Sequence, residues 1–386
     1  MKKRRRVLIL IFLCVFFLFP VEAYPSYSSR GDLSAQINEQ LGAIGRDELM
    51  NRVPGEAREL MEESGVYELD WRTMLELTPG RFFPVLFSMA MRTLTEPIRA
   101  LAVMLGVVLL CSLLETLRAG SFQTALSGAF QTVSVLCILT SVAMPILDCV
   151  MKTAATIRTA ASFMLGFIPI FSAAMISAGQ PVSGSTYSIF LMGVCQAVSQ
   201  AVAQTLIPLM AVYLAVCICG SFVPELNISA AAGGIRTAVT WAMGFMLTIF
   251  VALLSIQSML SHSADGVTVK ATKFLITSMV PMAGGVLSEA FMAAQGCLKL
   301  VKTTIGAYGI IVAIFTFLPV FLQAAAWLLI TRITAAAADV MSIPRVAGIL
   351  RNCGNVLGML ISAILCFSLL MIVSTSVVMA VGISAG

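Results

Sequence analysis

After Ile98 the chain alternates long apolar runs with short polar joints. Eight runs stand out, at residues 98–117, 129–150, 160–178, 187–223, 237–259, 274–294, 305–330 and 356–382. A helix needs about 20 residues to cross a hydrocarbon layer about 30 Å thick, and each run reaches or approaches that length. Within lipid a backbone must satisfy its own hydrogen bonds, and uninterrupted runs of this length select helices over a barrel. The pattern predicts an all-α, polytopic integral membrane protein with about eight transmembrane helices. Run 187–223 holds 37 residues and reads either as one tilted, broken helix or as two tightly joined ones. The joints are too short to hold a catalytic domain.

Upstream the pattern changes. Lys2 to Arg6 form a basic cluster, and Val7 to Phe19 an apolar run too short to span comfortably. Pro20 and then Val21-Glu22-Ala23 follow. That order predicts a secretory signal peptide over residues 1–23, cleaved after Ala23, with an uncleaved anchor as the alternative. Either way, residues 24–97 begin outside the cytoplasm. This region holds twelve of the chain's 19 acidic residues, and Leu33, Ile37, Leu41 and Ile44 recur at helical spacing. It reads as two or three amphipathic helices forming a small extracytoplasmic region. The stretch Arg81 to Leu94 is expected to lie along the membrane surface or to pack as a helix on the first span. Residues 98–386 then form the multi-span domain.

Composition narrows the function classes. The chain is 59% hydrophobic and 11% charged, against roughly 25% charged in a soluble domain. Its net charge of +5 shrinks to near +1 once the leader's five basic residues and Glu22 are removed. No basic patch with interleaved aromatics is present, which argues against nucleic acid as a partner. Ten cysteines could suggest disulfides. Cys111, Cys137, Cys195, Cys217, Cys219 and Cys366 among them instead lie inside apolar runs, where cysteine acts as a small hydrophobe. Cys217-x-Cys219 has the wrong spacing for redox or zinc chemistry. There is no Walker A loop and no His-Glu-x-x-His; His262, the one histidine, falls in a polar joint without a Gly-x-Ser-x-Gly elbow. The chain is expected not to be an enzyme and to hold no metal or cofactor.

Five prolines interrupt apolar runs: Pro145, Pro169, Pro208, Pro281 and Pro319. Each removes a backbone donor, as in the kinked helices lining transporter pathways, although proline is common in membrane helices generally. Pro169 and Pro208 are 39 residues apart, and Pro281 and Pro319 are 38 apart. This suggests a duplicated three-span unit, 129–223 and 237–330, whose odd span count would insert the copies in opposite orientations. For an outside start, Arg118, Lys270, Lys273, Arg332, Arg345 and Arg351 fall in inward joints. Lys152, Arg158, Arg236, Lys299 and Lys302 fall in outward ones, so charge bias barely favours either orientation. Ionisable groups in or beside spans are candidate pathway residues. Glu289 and Asp148, the latter able to pair with Lys152 one turn on, are the leading ones.

One segment carries a resemblance. Asp265-Gly266, Lys270, Lys273-Phe274, Val280-Pro281-Met282, Gly284 and Ser288-Glu289-Ala290 follow one another at close spacing. The segment resembles the signature region of the stage III sporulation protein AE family. The leader, the polar exported segment and the multi-span remainder are similar to that family's layout as well. The resemblance implies a role in endospore formation, in the mother-cell membrane that surrounds the forespore. The N-terminal region would face the intermembrane space. The implied partners are ring-forming, secretion-system-like proteins, other membrane proteins of the stage III complex and a separate ATPase. A multi-span component of a channel or feeding apparatus is the reading this favours, with the kinked spans and residues 261–274 as the place to seek a conduit. Two rivals stay open: an autonomous secondary transporter with inverted repeats, and a structural scaffold without a conduit.

Overall fold

The computed structural model describes residues 39–65, 79–118, 124–222, 228–279 and 284–380; the expected signal peptide and Pro281 lie outside them. Among the described residues every regular element is helical. Two short helices, α1 (Arg46–Asn51) and α2 (Gly55–Glu63), precede α3 (Pro79–Arg118) and α4 (Thr124–Ser177). Then come α5 (Pro181–Gln200), a π-helical turn (Ala201–Leu206), α6 (Ile207–Phe222), α7 (Ile228–Met279), α8 (Gly284–Val340) and α9 (Pro344–Ala380).

The all-α polytopic class holds, with six paths long and apolar enough to cross a membrane among the described residues, where the apolar runs suggested eight spans. They are Pro84–Leu113, Leu136–Ser177, Pro181–Cys219, Ala232–Thr272, Met292–Val340 and Pro344–Val377. Runs 129–150 and 160–178 are one helix, α4. Lys152 and Arg158 sit on its exposed side, while Thr153, Ala154 and Ile157 between them are buried. A charge on a helix's open side requires no loop. Run 187–223 follows one broken path, α5 through α6. Run 274–294 takes in the end of α7 and the start of α8, with residues 280–283 outside the described set. Among the described residues, 129–223 and 237–330 each hold parts of two long helical paths. The Arg81–Leu94 stretch is the first half of α3, continuous with run 98–117.

The prolines bend this picture little. Pro145, Pro169 and Pro319 lie in helix interiors that continue past them. Pro208 differs. The wide π-helical turn lies just before it, a local widening where a residue with no N–H to donate is accommodated.

Two hairpins share one closing device. Gly179 has φ 83, the Gln180 N–H donates to the Met175 carbonyl and the Gly179 N–H to the Ile176 carbonyl, both at 3.0 Å. Pro181 then opens α5. Ser342, at φ 60, does the same for α8: the Ile343 N–H reaches the Ala338 carbonyl at 3.0 Å, and Pro344 opens α9. The left-handed residue satisfies the last carbonyls, and proline in the first helical turn has no donor to waste.

Packing centres on α4, α8 and α9. Gly309 of α8 lets the Phe167 ring of α4 approach so closely that a Cβ would sit 2.5 Å from it. Phe317 and Phe367 join α8 to α9, with ring centroids 5.8 Å apart. The small N-terminal helices dock near the Gly179 end: Gly45 lies against Ile170, and the Arg52 side chain crosses Gly166.

Candidate functional site

Among the described residues, Asp265 and Lys302 are the charged side chains that the fold buries, at 3% and 2% exposed. Both converge on the α4–α5 turn. The first N–H groups of a helix have no intrahelical acceptor, and they concentrate partial positive charge. At α5, Pro181 contributes no N–H, which leaves Val182 and Ser183 to be satisfied. The Asp265 carboxylate, arriving from α7, accepts both: Oδ1 from the Val182 N–H and Oδ2 from the Ser183 N–H, each at 2.9 Å. A residue 82 positions downstream thus caps the helix that Gln180 begins without a side-chain cap of its own.

Lys302, from α8, donates to Gln180 Oε1 at 2.8 Å. It feels the opposite charge of Asp265 across the turn, although no direct ion pair joins them. Gln295, two turns earlier on α8 and also buried, presses its amide over Gly179; a Cβ there would lie 2.3 Å from Gln295 Nε2. The positive φ and this close approach both demand glycine. Nearby, Ser172 of α4 donates to the Gly184 carbonyl of α5 at 2.8 Å and ties the two arms of the hairpin. Leaving a charge unpaired in such a site costs several kcal/mol, so the groups act as a unit.

The other sequence candidates spread out. Gly266 is partly exposed beside Asp265, and Lys270 and Phe274 are exposed along α7. Lys273, Gly284 and Glu289 lie on α7 and α8, with their side chains outside the described set, as is Pro281 entirely. Pro169 is on the exposed side of α4. Asp148 does pair with Lys152, at 3.0 Å, and accepts from Gln323 of α8 at 3.5 Å. It lies 29 residues from Ser177, roughly 43 Å along a helix rising about 1.5 Å per residue, so it belongs to another part of the molecule. Lys302, Gln180 and Gln295 were missed. Their signal was present: two lysines three apart, Lys299 and Lys302, just ahead of the small residues Gly306 and Gly309, read more simply as a joint than as one face of a continuing helix.

The node offers charge neutralisation and helix capping, with no nucleophile–base pair. Among the described residues no group of three or more His, Cys, Asp or Glu side chains gathers as a metal site. These features define a polytopic helical membrane protein whose buried charges hold three helices together. The family described as stage III sporulation protein AE matches residues 71–382, and the chain belongs to it. A curated relative named stage III sporulation protein AE, from Bacillus subtilis (strain 168), is 22% identical over 240 residues. That stretch covers 61% of this chain and 59% of the relative, so the match spans about three-fifths of the relative's length. No solved structure matches. The chain is a membrane protein of sporulation.

Proposed function

We propose that the chain is a multi-span component of a channel or feeding apparatus between mother cell and forespore, acting without covalent chemistry. Membership of the sporulation family over residues 71–382 carries this reading. In it, the chain sits in the mother-cell membrane around the forespore, and residues 24–97 face the intermembrane space. Ring-forming proteins, other membrane proteins of the same stage and a separate ATPase are its partners. A chain with no Walker A loop in its sequence needs its energy supplied from elsewhere. The docking of α1 against α4 and of α2 against α8 supports a polar region held on the bundle, ready to present a surface to such partners.

The test is affinity purification of the tagged chain from sporulating cells in mild detergent, followed by mass spectrometry of what accompanies it. Ring-forming proteins and an ATPase are the expected companions. Recovery of the chain alone, together with solute uptake by liposomes containing nothing else, would instead establish an autonomous carrier.

A further inference from the structure

The open side of α7 changes character along its length. Trp241, Phe245, Ile249, Leu253, Ile256 and Met259 follow one another at helical spacing, and all are exposed. Between Arg236 and Asp265 the sequence holds no acid, lysine or arginine. Two exposed hydroxyls in this stretch turn back on their own helix: Thr248 donates to the Gly244 carbonyl at 2.8 Å and Ser255 to the Val251 carbonyl at 2.7 Å. Polar groups satisfied within their own helix meet the condition that lipid imposes. Trp241 stacks on Phe245, with ring centroids 5.0 Å apart, at the end nearer Arg236. Indole rings gather where hydrocarbon gives way to headgroups.

Past Met259 the same side is mixed. Val267, Phe274 and Leu275 are exposed, but so are Ser263, Thr268, Lys270 and Thr272 between and around them. From Trp241 to Met259 the helix rises roughly 27 Å, close to the thickness of a hydrocarbon layer of about 30 Å. From Ser263 to the end of α7 at Met279 it rises roughly 24 Å more. To fit both stretches into one layer, the helix would have to lean by more than the ~40° that spans reach. A charged side chain in lipid is costly, so the uncharged stretch takes the hydrocarbon.

We propose that lipid tails are the partner of the α7 face from Trp241 to Met259, that the hydrocarbon ends near Ser263, and that the last turns of α7, with Lys270 and Phe274, stand in water. Residues 261–274, the sequence's candidate for a conduit, then fall outside the hydrocarbon rather than within a span. The Asp265 carboxylate and the α5 N-terminus that it caps lie at the membrane surface. This placement is a property of the chain alone and is independent of the proposed function.

Carbene footprinting of the wild-type chain in lipid nanodiscs tests it, with a lipid-soluble aryl diazirine as probe and peptide mass spectrometry as readout. Phe245 and Phe274 are the same side chain at 52% and 71% exposure, so area alone favours Phe274. Labelling at Phe245 several-fold above Phe274 is expected; equal labelling, or more at Phe274, overturns the proposal. A membrane-impermeant acylating reagent is expected to modify Lys270 about as fast as a lysine in a free peptide, and protection of Lys270 in the isolated chain overturns it too. Ile256→Lys should lower the yield of folded chain from membranes several-fold, whereas Phe274→Lys should leave it unchanged. Equal losses would put both residues in lipid and sink the placement. Affinity purification that recovers no partners leaves this footprint unchanged, so the two readings fall separately.

Discussion

α7 and α8 are nearly equal in length, at 52 and 57 residues, and nearly equal in apolar character, yet they live in different surroundings. In its most apolar stretch α8 is 56% buried, much like α4 and α9, whereas α7, like α3, is 22% buried. Trp241, Phe245, Ile256 and Met259 of α7 point outward, while Val312, Phe315, Ala324 and Trp327 of α8 point into protein. Hydropathy cannot separate the two, because lipid tails and a protein interior are about equally apolar. What separates them is residue size and shape. The core helix carries Gly306 and Gly309 where neighbours come closest, and the outer helix carries Gly244 with open space beside it. Asp265 is the exception on α7, the point at which a mostly free helix is pinned to the bundle.

The sharpest way to break this contrast is optical. In single-tryptophan variants reconstituted in brominated lipid, Trp241, 68% exposed, should be strongly quenched and Trp327, 4% exposed, hardly at all. Equal quenching would end the distinction between core and outer helices. Next in size, Asp265→Ala removes the pin and strands the N-terminal donors of α5 and the Lys302 charge. A loss of about 3–5 kcal/mol is expected, read as a lower Tm in detergent; an unchanged Tm would show the node to be ornamental. Gly309→Ala should cost about 1–3 kcal/mol, because its Cβ meets Phe167. Gly244→Ala on α7, by contrast, should be neutral or gain up to about 1 kcal/mol through helix propensity. If both respond alike, close packing does not distinguish the two helices. Smallest is Asp148→Asn. Its ion pair is about half exposed on both sides, and loss of an exposed pair costs less than about 1 kcal/mol. A loss of several kcal/mol would locate that pair in hydrocarbon.

The helical class was legible in the sequence, as was a break somewhere in 187–223, left open there between one broken helix and two joined ones. Asp265 was chosen within a motif, however, and its structural role, capping a helix that begins at Pro181, depends on a tertiary approach that no local pattern contains. Joints were overcounted for one reason. Lys152, Arg158, Lys299 and Lys302 looked like loop residues because charges are rare in lipid. Lys152 and Arg158 are tolerated on an open helix side, and Lys302 is tolerated because Gln180 and Asp265 answer it. Proline misled less than charge did, since Pro145, Pro169 and Pro319 each sit where the helix simply continues.

The reach of the longest helices has its own consequence. At about 1.5 Å per residue, the 54 residues of α4 and the 57 of α8 have contour lengths of roughly 80–85 Å. That is more than twice a hydrocarbon layer of about 30 Å. Each helix therefore holds more contour than one perpendicular crossing of such a layer uses, and must tilt, bend or continue past it.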